Sequence, residues 1–126
     1  MIERIVYKGT PTPRGPYSSA VRAGDFIYVS ALGPADENDQ YSAVSIQDQT
    51  RQVIVNLEKV LAAAGAGLQD VVKCSVFLRD ISHFAPMNEV YAEFFSVTKP
   101  ARTTVEAKFV RPEMLIGMDC VAYKPR

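Results

Sequence analysis

One histidine, two cysteines, no surplus of either charge and no long apolar run leave this chain short of the material from which several kinds of protein are made. Its 14 basic and 14 acidic residues cancel. That balance argues against a nucleic-acid binder working by phosphate neutralisation, a local patch aside. His83 is the only histidine, so a histidine-rich metal site is excluded, and a Ser-His-Asp triad would have to run through it. Its neighbours Ser82 and Phe84 read instead as a loop or helix start. Cys74 and Cys120 show neither metal spacing nor a CxxC arrangement; among apolar neighbours they read as small buried hydrophobes. The apolar runs are far too short to span a membrane. Met1-Ile2-Glu3-Arg4 lacks the charged-then-apolar pattern of a signal peptide, so a cytoplasmic protein is expected.

What is present suffices for one core. A length of 126 residues with 48% apolar content fits one domain, residues 1–126, without a visible repeat or linker. Ile2 to Tyr7 reads as a strand. Lys8 to Pro16 is a loop that Pro11, Pro13 and Pro16 make stiff, able to hold Tyr17 in a fixed place. Ser18 to Arg22 and Phe26 to Ala31 form a hairpin around Gly24. Phe26, Tyr28 and Ser30 share one face, and Ile27, Val29 and Ala31 the other. Leu32 to Val44 is a solvated loop.

The helix at 45–64 is the clearest element. Ile46, Thr50, Val53, Ile54, Leu57, Val60, Leu61 and Ala64 recur at helical spacing, Ser45 starts it and Gly65 ends it. Gln49, Arg51, Gln52, Asn56, Glu58 and Lys59 then form a solvent-exposed polar face. In the strand at 71–78, Val72, Cys74, Val76 and Leu78 point inward and Lys73, Ser75, Phe77 and Arg79 outward. Phe77 breaks the polar side, as on a face that an oligomer buries. A second helix follows at 85–96, its stripe made of Met87, Val90, Tyr91, Phe94 and Phe95. The last strands are 102–109, with Thr103, Val105, Ala107 and Phe109 as its core face, and 115–123, with Ile116, Met118, Cys120 and Ala122 inward. The order β-β-β-α-β-α-β-β predicts an α+β fold, two helices on one face of a mixed sheet. The polar faces would carry Arg102, Thr104, Glu106, Gly117 and Asp119, and a side this charged must meet solvent, a ligand or a partner subunit.

Within Pro100-Ala101-Arg102-Thr103-Thr104-Val105, the proline drives Lys99 toward an extended conformation and the β-branched run favours a strand. Arg102 thus sits at a strand start beside hydroxyls, suited to grip a carboxylate through two bonds. An ordinary solvated arginine at a sheet edge is the other reading of the same residues.

That run, extended through Glu106 and followed by Met114 to Ala122, resembles the C-terminal signature of the RidA family, also called YjgF or L-PSP. Gly15-Pro16-Tyr17, Phe26-Ile27-Tyr28-Val29-Ser30 and Asn88-Glu89-Val90-Tyr91-Ala92-Glu93-Phe94-Phe95 fall in the family's order. The resemblance covers essentially the whole chain. It implies a chorismate-mutase-like fold and a homotrimer with a ligand pocket at each subunit interface. It also implies hydrolysis of reactive enamines or imines to ketoacids with release of ammonia, without metal or organic cofactor. The substrate would be a small carboxylate-bearing molecule. Arg102 would hold that carboxylate, and Tyr17, Ser30, Ala31 and Asn88 would lie at the pocket. Ala31 stands where members often have glycine.

Two positions depart from deaminating members: Thr104 stands in place of a cysteine, and Gly117 in place of a glutamate on the last strand. Threonine keeps the backbone N–H and adds a hydroxyl, so Thr104 is carried as a catalytic candidate. Glycine can neither activate water nor donate a proton, but leaves room for a bulkier ligand. Asp119 and Glu106 are the nearest acidic substitutes in sequence. The run Arg102 to Val105 and the tail Val121-Ala122-Tyr123 also resemble 2-aminomuconate deaminases, which act on a longer dicarboxylate enamine. The alternatives are a small-molecule-binding or regulatory trimer without catalysis and, against the charge balance, the ribonuclease role that some family names record.

Overall fold

The structure, a computed structural model, describes residues 1–9 and 12–126. The stiffness expected of the loop at 8–16 rests partly on Pro11, which with Thr10 lies outside the described residues. Strands β1 (Ile2–Ile5), β2 (Ala20–Ala23) and β3 (Phe26–Leu32) lead to helix α1 (Ile46–Ala63). Strand β4 (Val71–Leu78), helix α2 (Phe84–Phe95) and strands β5 (Ala101–Glu106) and β6 (Ile116–Tyr123) complete the chain. This is the expected order. The six strands form one sheet in the order β1-β2-β3-β6-β4-β5. All neighbours are antiparallel except β4 and β5, which α2 joins by the crossover that a parallel pair requires.

The core lies between the sheet and the two helices. Val53, Ile54, Leu57, Val60 and Leu61 of α1, with Met87, Tyr91 and Phe95 of α2, pack on Ile27, Val29, Cys74, Val76, Leu78, Ile116, Met118, Cys120 and Ala122. The Ser45 hydroxyl accepts from the Asp48 N–H at 3.1 Å and so caps α1. Gly65 follows its end at φ +83°, a left-handed turn that costs glycine nothing.

Strict alternation fails at two bulges. Register shifts between Val29 and Leu32 against β6, so Leu32 rather than Ala31 turns inward. A second shift between Val71 and Lys73 buries Val71 and exposes Val72, the reverse of the expected face. An extra residue in one strand swaps the sides of those before it. Strand β5 is also inverted. Arg102, Thr104 and Glu106 sit opposite Cys74, Val76 and Leu78 and therefore face the helices. Thr103 and Val105, expected in the core, point away from it, and the strand stops at Glu106, before Phe109. β5 is an edge strand, and only its partner β4 sets its sides. Lys99, expected extended, has φ 45°; its N–H donates to the Phe95 carbonyl at 2.9 Å, closing the α2 terminus before β5 begins.

The helix-free face carries Phe26, Tyr28, Val105 and Tyr123, each between 40% and 50% exposed, with Phe26 and Tyr123 edge-to-face at 5.2 Å.

Candidate functional site

Apart from Ser30, the site residues singled out in sequence fall into two clusters on opposite faces of the sheet. The first is built by α2 and β5 on the helix side. Arg102 is half-buried, and its Nη1 donates to Asn88 Oδ1 at 2.7 Å. Its guanidinium carbon lies 4.6 Å from the Tyr91 ring centroid and 5.5 Å from that of Phe84. Phe84, Asn88 and Tyr91 are spaced four and three apart, so one stripe of α2 supplies all three contacts. Two aromatic faces and one amide fix the plane of a guanidinium that would otherwise sample many rotamers. Among the described residues no carboxylate pairs with it. Thr104 lies two residues along the same face, and its Oγ1 is buried without a hydrogen-bond partner. Glu106, next on that face, accepts from the Ile81 N–H at 2.9 Å.

The second cluster lines a cavity of about 510 Å³ on the other face. Ala31 and Leu32 of β3, Phe77 of β4 and Gly117 of β6 contribute from the sheet, and Tyr17, Tyr41, Phe109 and Met114 from the loops. The bulge in β3 is what turns Ala31 into it. Tyr17 keeps its hydroxyl on the Arg14 N–H at 3.2 Å. Arg14, Lys108 and Arg111 bring positive charge to the lining. Arg14 pairs with Asp39, the only acid in the lining among the described residues, and Arg111 stacks on Tyr41 at 4.5 Å.

Three polar residues hold the loops around this cavity. Gln49 donates to the Ala43 and Glu113 carbonyls at 3.1 and 2.8 Å and accepts from the Leu115 N–H at 2.7 Å. Asn56 donates to the Gly33 and Ala35 carbonyls at 2.9 and 2.8 Å. Arg79 donates to the Met114 and Arg111 carbonyls at 2.7 and 2.9 Å and lies over Phe109 at 5.4 Å. Gln49 and Asn56 are buried, not solvent-exposed as their polarity suggests. The signal was in their spacing: with Val53 and Val60 they fall on one stripe of α1. In the loop itself, the Ser42 hydroxyl and the Gln40 and Asn38 N–H groups hold the Asp36 carboxyl below its usual range.

The structure thus brings Tyr17, Ala31 and Gly117 together, and Arg102, Asn88 and Thr104 together, but not the two groups. Ser30 stands apart from both, its hydroxyl donating to the Ser18 carbonyl at 2.7 Å. Asp119 and Glu106, the acidic substitutes considered for Gly117, are absent from the cavity lining. Cys74 and Cys120 are buried, and burial pushes both thiols up, away from the reactive thiolate. The Tyr91 phenol is raised for the same reason, beside Cys74. No group of three or more His, Cys, Asp or Glu among the described residues could hold a metal ion. No described helix is long and apolar enough to cross a membrane.

Comparison with known proteins points one way. The family model described as Endoribonuclease L-PSP matches residues 8–124. A RutC family protein of Pyrococcus horikoshii is 44% identical over 98% of this chain and 99% of its own. The 3-aminoacrylate deaminase RutC of Acinetobacter baylyi is 40% identical over 96% and 97%. The crystal structure of yeast Mmf1 superposes with a TM-score of 0.92 at 31% identity, covering 98% of this chain and 99% of that one. With the sequence motifs, the sheet order and these full-length matches in agreement, the chain belongs to the RidA (YjgF/L-PSP) family.

Proposed function

We infer that the protein is a Rid-type deaminase that hydrolyses a carboxylate-bearing enamine or imine to the ketoacid. The observation that carries this reading is Arg102: a guanidinium fixed by Asn88, Tyr91 and Phe84 with no carboxylate among the described residues paired with it. Its remaining N–H donors fit a substrate carboxylate in two parallel bonds. An enamine first tautomerises to the imine. Water then adds to the C=N carbon of the iminium, and collapse of that adduct leaves C=O and ammonium, with atoms and charge conserved. The Thr104 hydroxyl would orient the substrate or the water, a role supported by its being buried without a partner. Arg102 supplies substrate binding and alignment. The homology to a 3-aminoacrylate deaminase supports the reaction class.

The two clusters face opposite ways in one copy, so the complete site forms where the arginine cluster of one copy meets the cavity of another, in a trimer. The exposed apolar residues Phe26, Tyr28, Val105 and Tyr123 support such an assembly, since a closed ring buries faces of this kind.

The test is competition. 2-Iminopropanoate generated in situ is trapped by semicarbazide, and the trapped product is followed with and without protein. The protein is expected to suppress trapping, and Arg102→Ala to restore it almost fully. Suppression that survives Arg102→Ala in folded protein would defeat the reading. A second reading has its own observation: the cavity offers no free carboxylate at Gly117 or elsewhere in its described lining. Ketoacid binding without any acceleration of imine decay would make the protein a binding or regulatory member of the family.

A further inference from the structure

We propose that Gly117 sets substrate size, and that the cavity it floors receives a flat apolar side chain, branched or aromatic, carried by the imino acid. This rests on the deaminase reading above, in which a neighbouring copy's Arg102 holds the carboxylate. Three observations carry it. The cavity, about 510 Å³, lies within the range of ~300–1,000 Å³ typical of sites for much larger ligands than a three-carbon acid. Its walls include the rings of Tyr17, Tyr41, Phe77 and Phe109, which suit a planar apolar occupant. Most of its polar groups are already engaged: Asp39 on Arg14, Arg111 on Glu113 and Tyr41, the Ser19 hydroxyl on the Tyr7 N–H, the Tyr17 hydroxyl on the Arg14 N–H; the Lys108 ammonium is the exception in the described lining.

Gly117 is the position where this space is opened or closed. A Cβ there would sit 3.4 Å from Phe109 Cε1, 3.5 Å from the Leu32 carbonyl oxygen and 3.7 Å from Met114 Cε. A methyl therefore fits at ordinary contact distance, and anything longer must project into the cavity between Phe109 and Met114. Glycine here is a matter of room, not of backbone conformation.

Calorimetric titration of the full chain with pyruvate, phenylpyruvate and 2-oxoglutarate tests this without requiring turnover. Wild type is expected to bind phenylpyruvate at least about tenfold more tightly than pyruvate, as burial of a phenyl ring should give. Gly117→Leu should cut that ratio to about twofold or less, and Gly117→Ala should give an intermediate value, with folding of each variant checked by circular dichroism. Should Gly117→Leu fail to fold, Gly117→Ala alone decides through its lowered ratio. Equal affinities in wild type, a ratio insensitive to position 117, or tighter binding of 2-oxoglutarate than of phenylpyruvate would each overturn the apolar side-chain pocket while leaving deamination standing. Binding of none of the three acids, together with suppression of trapping that survives Arg102→Ala, would overturn the deaminase reading itself and the pocket with it.

Discussion

A guanidinium has five N–H donors, and Arg102 commits one of them to Asn88. At the scale of single residues this bond aims the rest. Removing it leaves the charge and the two aromatic rings in place but lets the fork rotate. Asn88→Ala is therefore expected to raise the KM for the imino acid about tenfold, the worth of a charge-assisted hydrogen bond. The effect on kcat should be smaller, because on the proposed reading Arg102 would still bind the carboxylate once docked. Steady-state kinetics on Asn88→Ala and Asn88→Asp separate the two. The aspartate variant places a carboxylate 2.7 Å or so from the guanidinium, should neutralise it, and should bind substrate worse than the alanine variant. Equal KM values for all three forms would remove Asn88 from the site. Arg102 itself was legible from its strand-start position, whereas its partners Phe84 and Tyr91 read in sequence only as a helix start and part of an apolar stripe. Tyr91 is both a core residue and one wall of the arginine cluster, and periodicity reports only the first role.

At the scale of elements, α1 does more than cover the sheet. From one stripe it sends Gln49 to the 113–115 segment and Asn56 to the 33–35 segment, so both loops around the cavity hang from one rigid helix. Asn56→Ala would leave the Gly33 and Ala35 carbonyls unpaired at a cost of about 2–4 kcal/mol. A thermal midpoint lower by roughly 10 °C is expected, with weaker ketoacid binding because the loop loses its anchor. Calorimetric melting checks the first part, and an unchanged midpoint would count against it. The elements themselves were largely legible, since helical spacing marked α1 and alternation marked β6. Alternation misled at Val72 and Ala31, where a bulge adds a residue, and along β5, where an edge strand of mixed polarity has no internal preference for a side. Polarity alone puts Gln49 and Asn56 in solvent, whereas their position on the stripe of Val53 and Val60 puts them inside. A buried amide is tolerable when its polar atoms are partnered: Gln49 by backbone groups, Asn56 by two carbonyls and the Gln52 amide.

At the scale of the whole molecule, the sheet separates the residues that its sequence motifs unite. Tyr17, Ala31 and Gly117 lie on one side and Arg102, Asn88 and Thr104 on the other. For Arg102 and Thr104 one strand's inversion accounts for this: had β5 presented Thr103 and Val105 to the helices, both would share a face with Gly117, while Asn88 on α2 would stay on the helix side. No pattern within 101–106 encodes that choice; it comes from pairing with β4. The split also has a genetic consequence. On the proposed site shared between copies, a copy would be disabled in either of two ways, and copies disabled differently would repair each other. Arg102→Ala chains keep a sound cavity, while chains with a blocked cavity keep a sound arginine. Refolded together, the two inactive proteins should regain part of the trapping-assay activity that neither shows alone. In a ring of copies, the intact arginine of one chain would meet the intact cavity of the next. Silence from the mixture, with both chains folded and associated, would mean that each copy works by itself. Recovery would make this protein one whose unit of inheritance, the single chain, is smaller than its unit of function.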